Sequence, residues 1–299
     1  MSKKSVRIIC RFGALILFSV FILYINQRAS LPELELAETS GNRDGFVLIH
    51  FIDVGQGDAI LVEAETSSML IDAGENHMAS TVVKYLKTRG IEKLEYIIGT
   101  HPHSDHIGGL DYVITTFGAD KILMPEVLHT TKTYEDVLDA IEEKGLVITK
   151  PRVGDNYSLG PASFTIIAPN GTDYTEMNNY SIGIKLEYKN ISFLMAGDAE
   201  VLSETEMLKN GIDLSADVLK ISHHGSESSS CSDFLDAVNP SHAVISVGTD
   251  NGYGHPHDVT LQALADRNIS IYRTDKQRNV IFTTNGKTIS VNTEPYLLK

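Results

Sequence analysis

The sequence predicts a mixed α/β fold of two sheets with helices on their outer faces. Three observations carry that expectation. Short apolar, β-rich runs alternate along the chain with stretches whose apolar residues recur at helical spacing. The first three such runs are separated only by Gly-rich or polar turns, as in an opening antiparallel meander. With 299 residues, 42% of them hydrophobic and 21% charged, the chain can bury a sizeable core in one large domain.

The N-terminus stands apart from this pattern. Residues 1–30 carry Lys3, Lys4, Arg7, Arg11 and Arg28 with no acid, and Phe12 to Ile25 is a run of 14 uncharged residues. A basic leader before an apolar run is an export signal or an anchor rather than part of a fold. The run is short for a membrane span of about 20 residues, yet YINQRASLPE holds no clear small-x-small cleavage site. An uncleaved anchor is the preferred reading and a cleaved signal peptide the alternative. Basic residues before the run stay cytoplasmic, which places the rest extracytoplasmic, anchored to the cell membrane or secreted. Residues 31–45, with Leu31-Pro32 and the acids from Glu33 to Glu38, lack a strand pattern and read as a linker. The folded domain is expected over 46–299.

Within it, Phe46 to Val54, Ala59 to Glu63 and Ser68 to Gly74 are the opening strands. Met78, Val82, Tyr85 and Leu86 recur at helical spacing, and Gly90 closes that helix. A buried strand from Leu94 to Thr100 leads to a helix from about Gly109 to Phe117, a strand at Lys121–Met124 and a helix near Tyr134–Glu143. Later strands are expected at Ser163–Ala168, Ile182–Glu187, Ile191–Met195, Asp217–Ser222, Ala243–Val247, Ser270–Tyr272 and Val280–Thr283. Helices are expected at Glu200–Lys209, Asp233–Val238 and Val259–Ala265. No sequence repeat is present.

Without the leader the chain keeps 20 bases against 39 acids, a net of −19. That opposes the basic patch by which nucleic-acid binders are recognised, although bound metal ions can supply local positive charge. Cys10 and Cys231 are far apart in the sequence and imply no disulfide framework.

The chemistry concentrates in THPHSDHIGGL, where His101, His103, Asp105 and His106 fall within six residues. They follow a buried strand, so they should lie on a strand-end loop, where rigid scaffolds place function. Imidazole and carboxylate together suit zinc, manganese or iron, and so many ligands suggest two ions about 3.5–4 Å apart. Asp72 ends an apolar strand, as does Asp198 after ISFLMAG. Alone, the first could be a turn residue and the second a helix cap. His223 and His224 follow the strand Val218–Ser222. Neighbours on an extended chain point to opposite sides, so one should bind metal. We take His224 as the ligand and His223 as a pocket residue, with the exchange left open. His255 and His257 flank Pro256 after a flexible stretch and suggest substrate contact or proton transfer, against the alternative of a solvated turn. His50, His77, His129 and His242 stand singly and read as structural or exposed.

The H-x-H-x-D-H pattern resembles the hallmark of the metallo-β-lactamase superfamily. That resemblance implies a four-layer αββα sandwich, two divalent metal ions (zinc or manganese) and metal-assisted hydrolysis. It implies that His101 and His103 hold one ion, that Asp105, His106 and His224 hold the other, that Asp198 bridges them, and that Asp72 orients a ligating imidazole from behind. Asp105, His223, His255 and His257 are then the candidate catalytic groups. One motif departs: where the superfamily commonly reads H-S-x-G, the sequence reads Tyr180-Ser181-Ile182-Gly183. The first metal then has either an oxygen substitute, an amide from the preceding Asn178-Asn179 pair taken as Asn179, or an open place, which favours manganese relative to zinc.

FIDVGQGDAILVE, THPHSDHIGG, NNYS, LMAGDAE, LKISHHGS and YGHPH, in that order, resemble the extracytoplasmic hydrolase domain of the ComEC competence-protein family over nearly all of 46–290. The implied substrate is a phosphodiester, with single-stranded DNA as one candidate, and the membrane is the expected partner of the N-terminal segment. The alternatives are a small-molecule phosphodiesterase, phosphorylcholine-esterase-like, and a non-catalytic binding module of the same fold. Metal content distinguishes the last from the enzymes.

Overall fold

The computed structural model describes residues 43–298. The expected anchor and most of the linker lie outside the described residues. Among these no helix is long and apolar enough to cross a membrane.

The first half of the domain builds β1 (Val47–Phe51), β2 (Ile60–Ala64), β3 (Ser67–Ile71), β4 (Leu94–Ile98), β5 (Ala119–Leu123) and β6 (Ile148–Thr149), with helices α1 (Ala79–Thr88), α2 (Ser104–Ile107), α3 (Leu110–Phe117) and α4 (Lys132–Glu143). The first three strands pair antiparallel and the rest parallel, the change coming where helical crossovers begin. The second half repeats this plan without repeating its sequence. Strands β7 (Asn156–Leu159), β8 (Ala162–Ala168), β9 (Gly183–Tyr188) and β10 (Ile191–Met195) form an antiparallel meander, and β11 (Val218–Lys220), β12 (His242–Ile245) and β13 (Ser270–Arg273) add in parallel. Helices α5 (Val201–Lys209), α6 (Ser232–Val238), α7 (Asp258–Asp266) and α8 (Thr274–Gln277) accompany it. The chain then returns to the first sheet as β14 (Val280–Thr284) and β15 (Ile289–Val291) beside β1.

Among the described residues the two sheets hold eight and seven strands. Alternation along β1 explains the layering. Val47, Ile49 and Phe51 face the second sheet and join Phe164, Phe193 and Phe282 in the central core. Phe282 meets Phe51 and Phe193 edge-on at 6.0 and 5.9 Å, which ties the two sheets together. Each such phenylalanine contributes about 1.5–3 kcal/mol when fully buried. Opposite faces of the same strands carry Leu61 and Leu70, covered by Val82, Leu86, Val113 and Val137 of the helices. Leu194, Leu219 and Ile245 are covered likewise by Met207, Phe234 and Leu261. Both faces of each sheet are thus buried, which is why so many strands read as continuous apolar runs. The result is the expected αββα sandwich, and every expected strand and helix is present, most with shifted ends.

Candidate metal centre

The candidate residues collect at the carboxyl ends of parallel strands, where α/β sheets place their ligand sites. Asp72 follows β3, His101 to His106 follow β4, Asp198 follows β10, and His223 and His224 follow β11. One sheet therefore supplies the His-rich loop and the other supplies Asp198 and His224.

Asp105 and His106 do not lie on an irregular loop, as the sequence suggested, but on the single helical turn α2. His101 and His103 precede it in bent and extended backbone, which lets all four side chains converge. Gly57 presses the turn from the other side at φ +125°, where a Cβ would lie 2.1 Å from the Asp105 carbonyl oxygen.

The ligand atoms of Asp105, His106, Asp198 and His224 all lie within 4.8 Å of one another. His106 Nε2 and His224 Nε2 sit 3.2 and 3.3 Å from Asp198 Oδ2, and His224 Nε2 is 3.3 Å from Asp105 Oδ2. Neither Nε2 atom, nor Asp198 Oδ1, has a hydrogen-bond partner, although all are buried. The other ring nitrogens are fixed. His106 Nδ1–H donates to Asp72 Oδ2 at 2.7 Å, and His224 Nδ1–H donates to the Ser246 carbonyl at 2.9 Å. Asp72 is held in turn by the Thr100 N–H at 2.8 Å and the Thr100 hydroxyl at 2.6 Å. Such bonds select the tautomer that leaves Nε2 free to ligate. Beside this group His101 Nε2 lies 3.0 Å from His103 Nδ1, close to the spacing of two ligands on one ion. Unpartnered, buried nitrogen and carboxylate atoms converging in this way fit divalent cations.

The electrostatics agree with that fit. Burial pushes His106 and His224 toward neutrality, but Asp198 and its neighbouring acids overcome it. His106 is raised well above the ordinary histidine range and His224 is pushed up to about 9. Against the same burial, these imidazoles hold Asp198 and Asp105 well below the usual carboxylate range. Protons thus bind where a cation would, and metal must displace them. Burial lowers His101, His103 and His223, and with His223, His224 and His257 nearby pushes His255 down to about 4.

The cluster floors an open cleft of about 440 Å³, lined by His103, Asp105, Asp198, His223, His224 and His255 together with Gln56, Glu75, Ser104, His129, Thr131, Asn178 and Tyr253. No Lys or Arg is among them. Tyr253, 69% exposed, stands at the rim with its ring stacked on His255 at 5.6 Å. His223 Nδ1 lies 3.0 Å from the Ser228 hydroxyl, which donates to Glu200 at 3.1 Å, and His223 Nε2 lies 3.4 Å from Asn178 Nδ2.

Several expectations change. His223 and His224 are not on an extended strand: both adopt left-handed backbone, with φ of +50° and +54°. Such a conformation costs roughly 1–2 kcal/mol per non-glycine residue and persists only where the surrounding structure over-determines it. It turns His224 into the cluster and His223 into the cleft wall. His257 does not reach the cleft, because its Nδ1 accepts the Glu227 N–H at 3.0 Å behind His255. Asn179 is occupied elsewhere: its Oδ1 accepts from the Glu200 and Ser203 N–H groups and caps α5. The amide in the cleft wall is Asn178, whose Oδ1 is buried without a partner. Tyr180 points away, its hydroxyl donating to the Thr172 carbonyl at 2.8 Å. His129, read as structural or exposed, lines the cleft 6.3 Å from the His103 ring. Sequence reasoning also passed over Asp58, Lys220 and Glu200. The first two lie inside FIDVGQGDAILVE and LKISHHGS, where a buried charge within an apolar strand context was the available signal.

Sequence and structure comparisons agree with this geometry. The family model described as the metallo-beta-lactamase superfamily matches residues 52–249. The chain is 30% identical over 250 residues to ComE operon protein 3 of Bacillus subtilis, covering 78% of this chain and 32% of that protein. It is 28% identical over 265 residues to Competence protein ComA of Neisseria gonorrhoeae, covering 88% of this chain and 34% of that one. It thus spans about a third of the length of the curated relatives it matches. Among solved structures, the metallo-beta-lactamase fold protein YhfI from Bacillus subtilis superposes with a TM-score of 0.55 at 12% identity, over 80% of this chain and all of that one. The fold, the clustered candidate ligands at the strand ends and the matched region together make the chain a member of the metallo-β-lactamase superfamily, with similarity to the ComEC group of competence proteins.

Proposed function

We propose that the chain is a dinuclear metal-dependent phosphodiesterase that acts outside the cytoplasmic membrane. The observation that carries this reading is the convergence of His106 Nε2 and His224 Nε2, both buried without a hydrogen-bond partner, on Asp198 Oδ2 beside an open cleft lined by Asp105, Asp198 and His224. His101 and His103 would hold one ion and Asp105, His106 and His224 the other, with Asp198 available to both. Asn178 Oδ1, rather than Asn179, supplies the oxygen that stands in for the missing imidazole. Bound there, zinc or manganese lowers the pKa of water toward about 7 and neutralises charge on phosphoryl oxygens.

The chain's own groups then position the substrate. His223 is held neutral by burial, and its Nδ1–H is directed to Ser228, so Nε2 is an acceptor, met at 3.4 Å by the Asn178 amide in the cleft wall. His255, at about 4, is neutral at working pH and contacts substrate as a neutral imidazole rather than serving as the acid. A cleft without Lys or Arg places the capture of phosphate on the metals alone. Because DNA affinity grows with the number of phosphates neutralised by protein cations, attack on duplex should be weak. Single-stranded DNA can thread to the cleft with a base against Tyr253. The same lack of cations favours a second reading, a small phosphodiester that needs no extended groove.

Turnover of single-stranded DNA and of a chromogenic phosphodiester by the metal-loaded protein, at low and physiological salt, separates the two. Efficient cleavage of the small diester with DNA left intact removes the nuclease reading, and hydrolysis of neither removes both. The location outside the membrane rests on the basic leader. Protease added to intact protoplasts should digest the domain, and protection until lysis reverses the assignment.

A further inference from the structure

Lys220 is fully buried at the end of β11, directly beneath the metal cluster, and none of the steps proposed above uses it. Its ammonium is ion-paired with Asp58 and donates to the Gly197 carbonyl at 3.0 Å, and it lies 3.8 Å from Asp198 Oδ1. Asp58 is equally buried and comes from the first sheet. Its N–H donates to the Asp105 carbonyl at 3.1 Å, and its carbonyl accepts from Gly74 at 2.8 Å. Its carboxylate oxygens approach His224 Nδ1 and His106 Nδ1 at 3.7 and 3.8 Å. One ion pair thus joins the turn that carries Asp105, through the Asp58 backbone, to the segment that carries Asp198, through the Gly197 carbonyl, although the two belong to different sheets.

Asp58, Asp72 and His106 also form a compact buried group of potential ligands. Asp72 is saturated by Thr100 and His106, and the cation that meets Asp58 is Lys220. Burial opposes the charge on Lys220, but Asp58 and Asp198 raise it above the ordinary lysine value, so Lys220 stays charged.

We propose that the Asp58–Lys220 pair is a positioning device that locks the two halves of the metal centre in register and so sets its affinity for divalent ions. The inference rests on the proposed dinuclear centre. A purely electrostatic role makes the opposite prediction: removing a cation 3.8 Å from Asp198 would strengthen the pull on a metal. The double variant Asp58→Asn with Lys220→Met isolates geometry, because it removes one charge of each sign and leaves the net charge unchanged. Replacing both members of a buried pair is also far better tolerated than removing one.

Affinity for zinc and manganese is read by competition with a chromophoric chelator, alongside urea unfolding of the metal-free protein. Loss of a group that orients ligands from behind weakens metal binding by about 10–100-fold. At least a tenfold loss is expected for the folded double variant. A pair that only supports the fold would lower the unfolding midpoint while leaving metal affinity at the wild-type value, and that result overturns the proposal, as does tighter binding. Should the double variant fail to fold, Asp58→Glu, which keeps both charges and alters only the geometry of the pair, carries the same test with the same outcomes. Wild-type protein that binds no divalent ion overturns the proposed function and this inference together, whereas unchanged affinity in the variant overturns this inference alone.

Discussion

Replacing Asp72 with Asn tests how the protein prepares His106 for metal. The Asp72 carboxylate accepts three hydrogen bonds, two from Thr100 and one from His106 Nδ1–H. Asparagine keeps the volume and one acceptor, which can stay with the Thr100 N–H. Its NH2 then faces His106 Nδ1, where a donor now stands. The imidazole must present a lone pair at Nδ1, and in its neutral form it then carries its proton at Nε2, the atom 3.2 Å from Asp198. That tautomer cannot ligate. Metal affinity should fall by about 10–100-fold, or about 1.4–2.8 kcal/mol. Exchange of charge-assisted bonds for weaker or opposed ones should cost the metal-free fold about 1–3 kcal/mol. Chelator competition reads the first quantity and urea unfolding the second. An Asp72→Asn protein that binds metal as tightly as wild type would refute the tautomer argument, whatever its stability.

Further expectations follow from the same geometry. In metal-free protein His224 has its folded pKa raised to about 9 from an ordinary 6.5, so its contribution to stability is complete below about pH 6.5 and is lost as pH rises through about 9. Urea midpoints of chelator-treated protein should therefore fall between those values, and a flat profile contradicts the assignment. Gly57→Ala should drive a methyl group into the Asp105 carbonyl, destabilising by about 1–3 kcal/mol and weakening metal binding, both absent if the loop relaxes freely. Asn179→Ala should cost about 0.5–2 kcal/mol through the lost cap on α5 while metal stoichiometry stays that of wild type. A lost ion would return Asn179 to the ligand set.

The layers of the fold were legible because burial on both faces leaves long apolar runs, and the His-rich motif was legible because it is contiguous. Strands β6, β7 and β15 were not foreseen. They are short and partly polar, as in Asn156–Leu159 of β7, and all three form sheet edges, where unbroken hydrophobic runs are disfavoured. At the site, the choice between Asn178 and Asn179 depends on a short helical turn at Met177–Tyr180, in which adjacent side chains diverge. Composition holds no trace of that divergence. His129 enters the cleft through a loop that spacing alone cannot place. Lys220 and Asp58 are 162 residues apart in sequence, and only the packing of one sheet on the other makes them partners.

The central claim is that the clustered histidines and aspartates hold two divalent ions which hydrolysis of a phosphodiester requires. Chelator-stripped protein should be inactive toward a chromogenic phosphodiester, and activity should return on titration with manganese or zinc, reaching its plateau at two equivalents per chain. Full activity in the stripped protein, or a folded protein that takes up no divalent metal, would contradict the account.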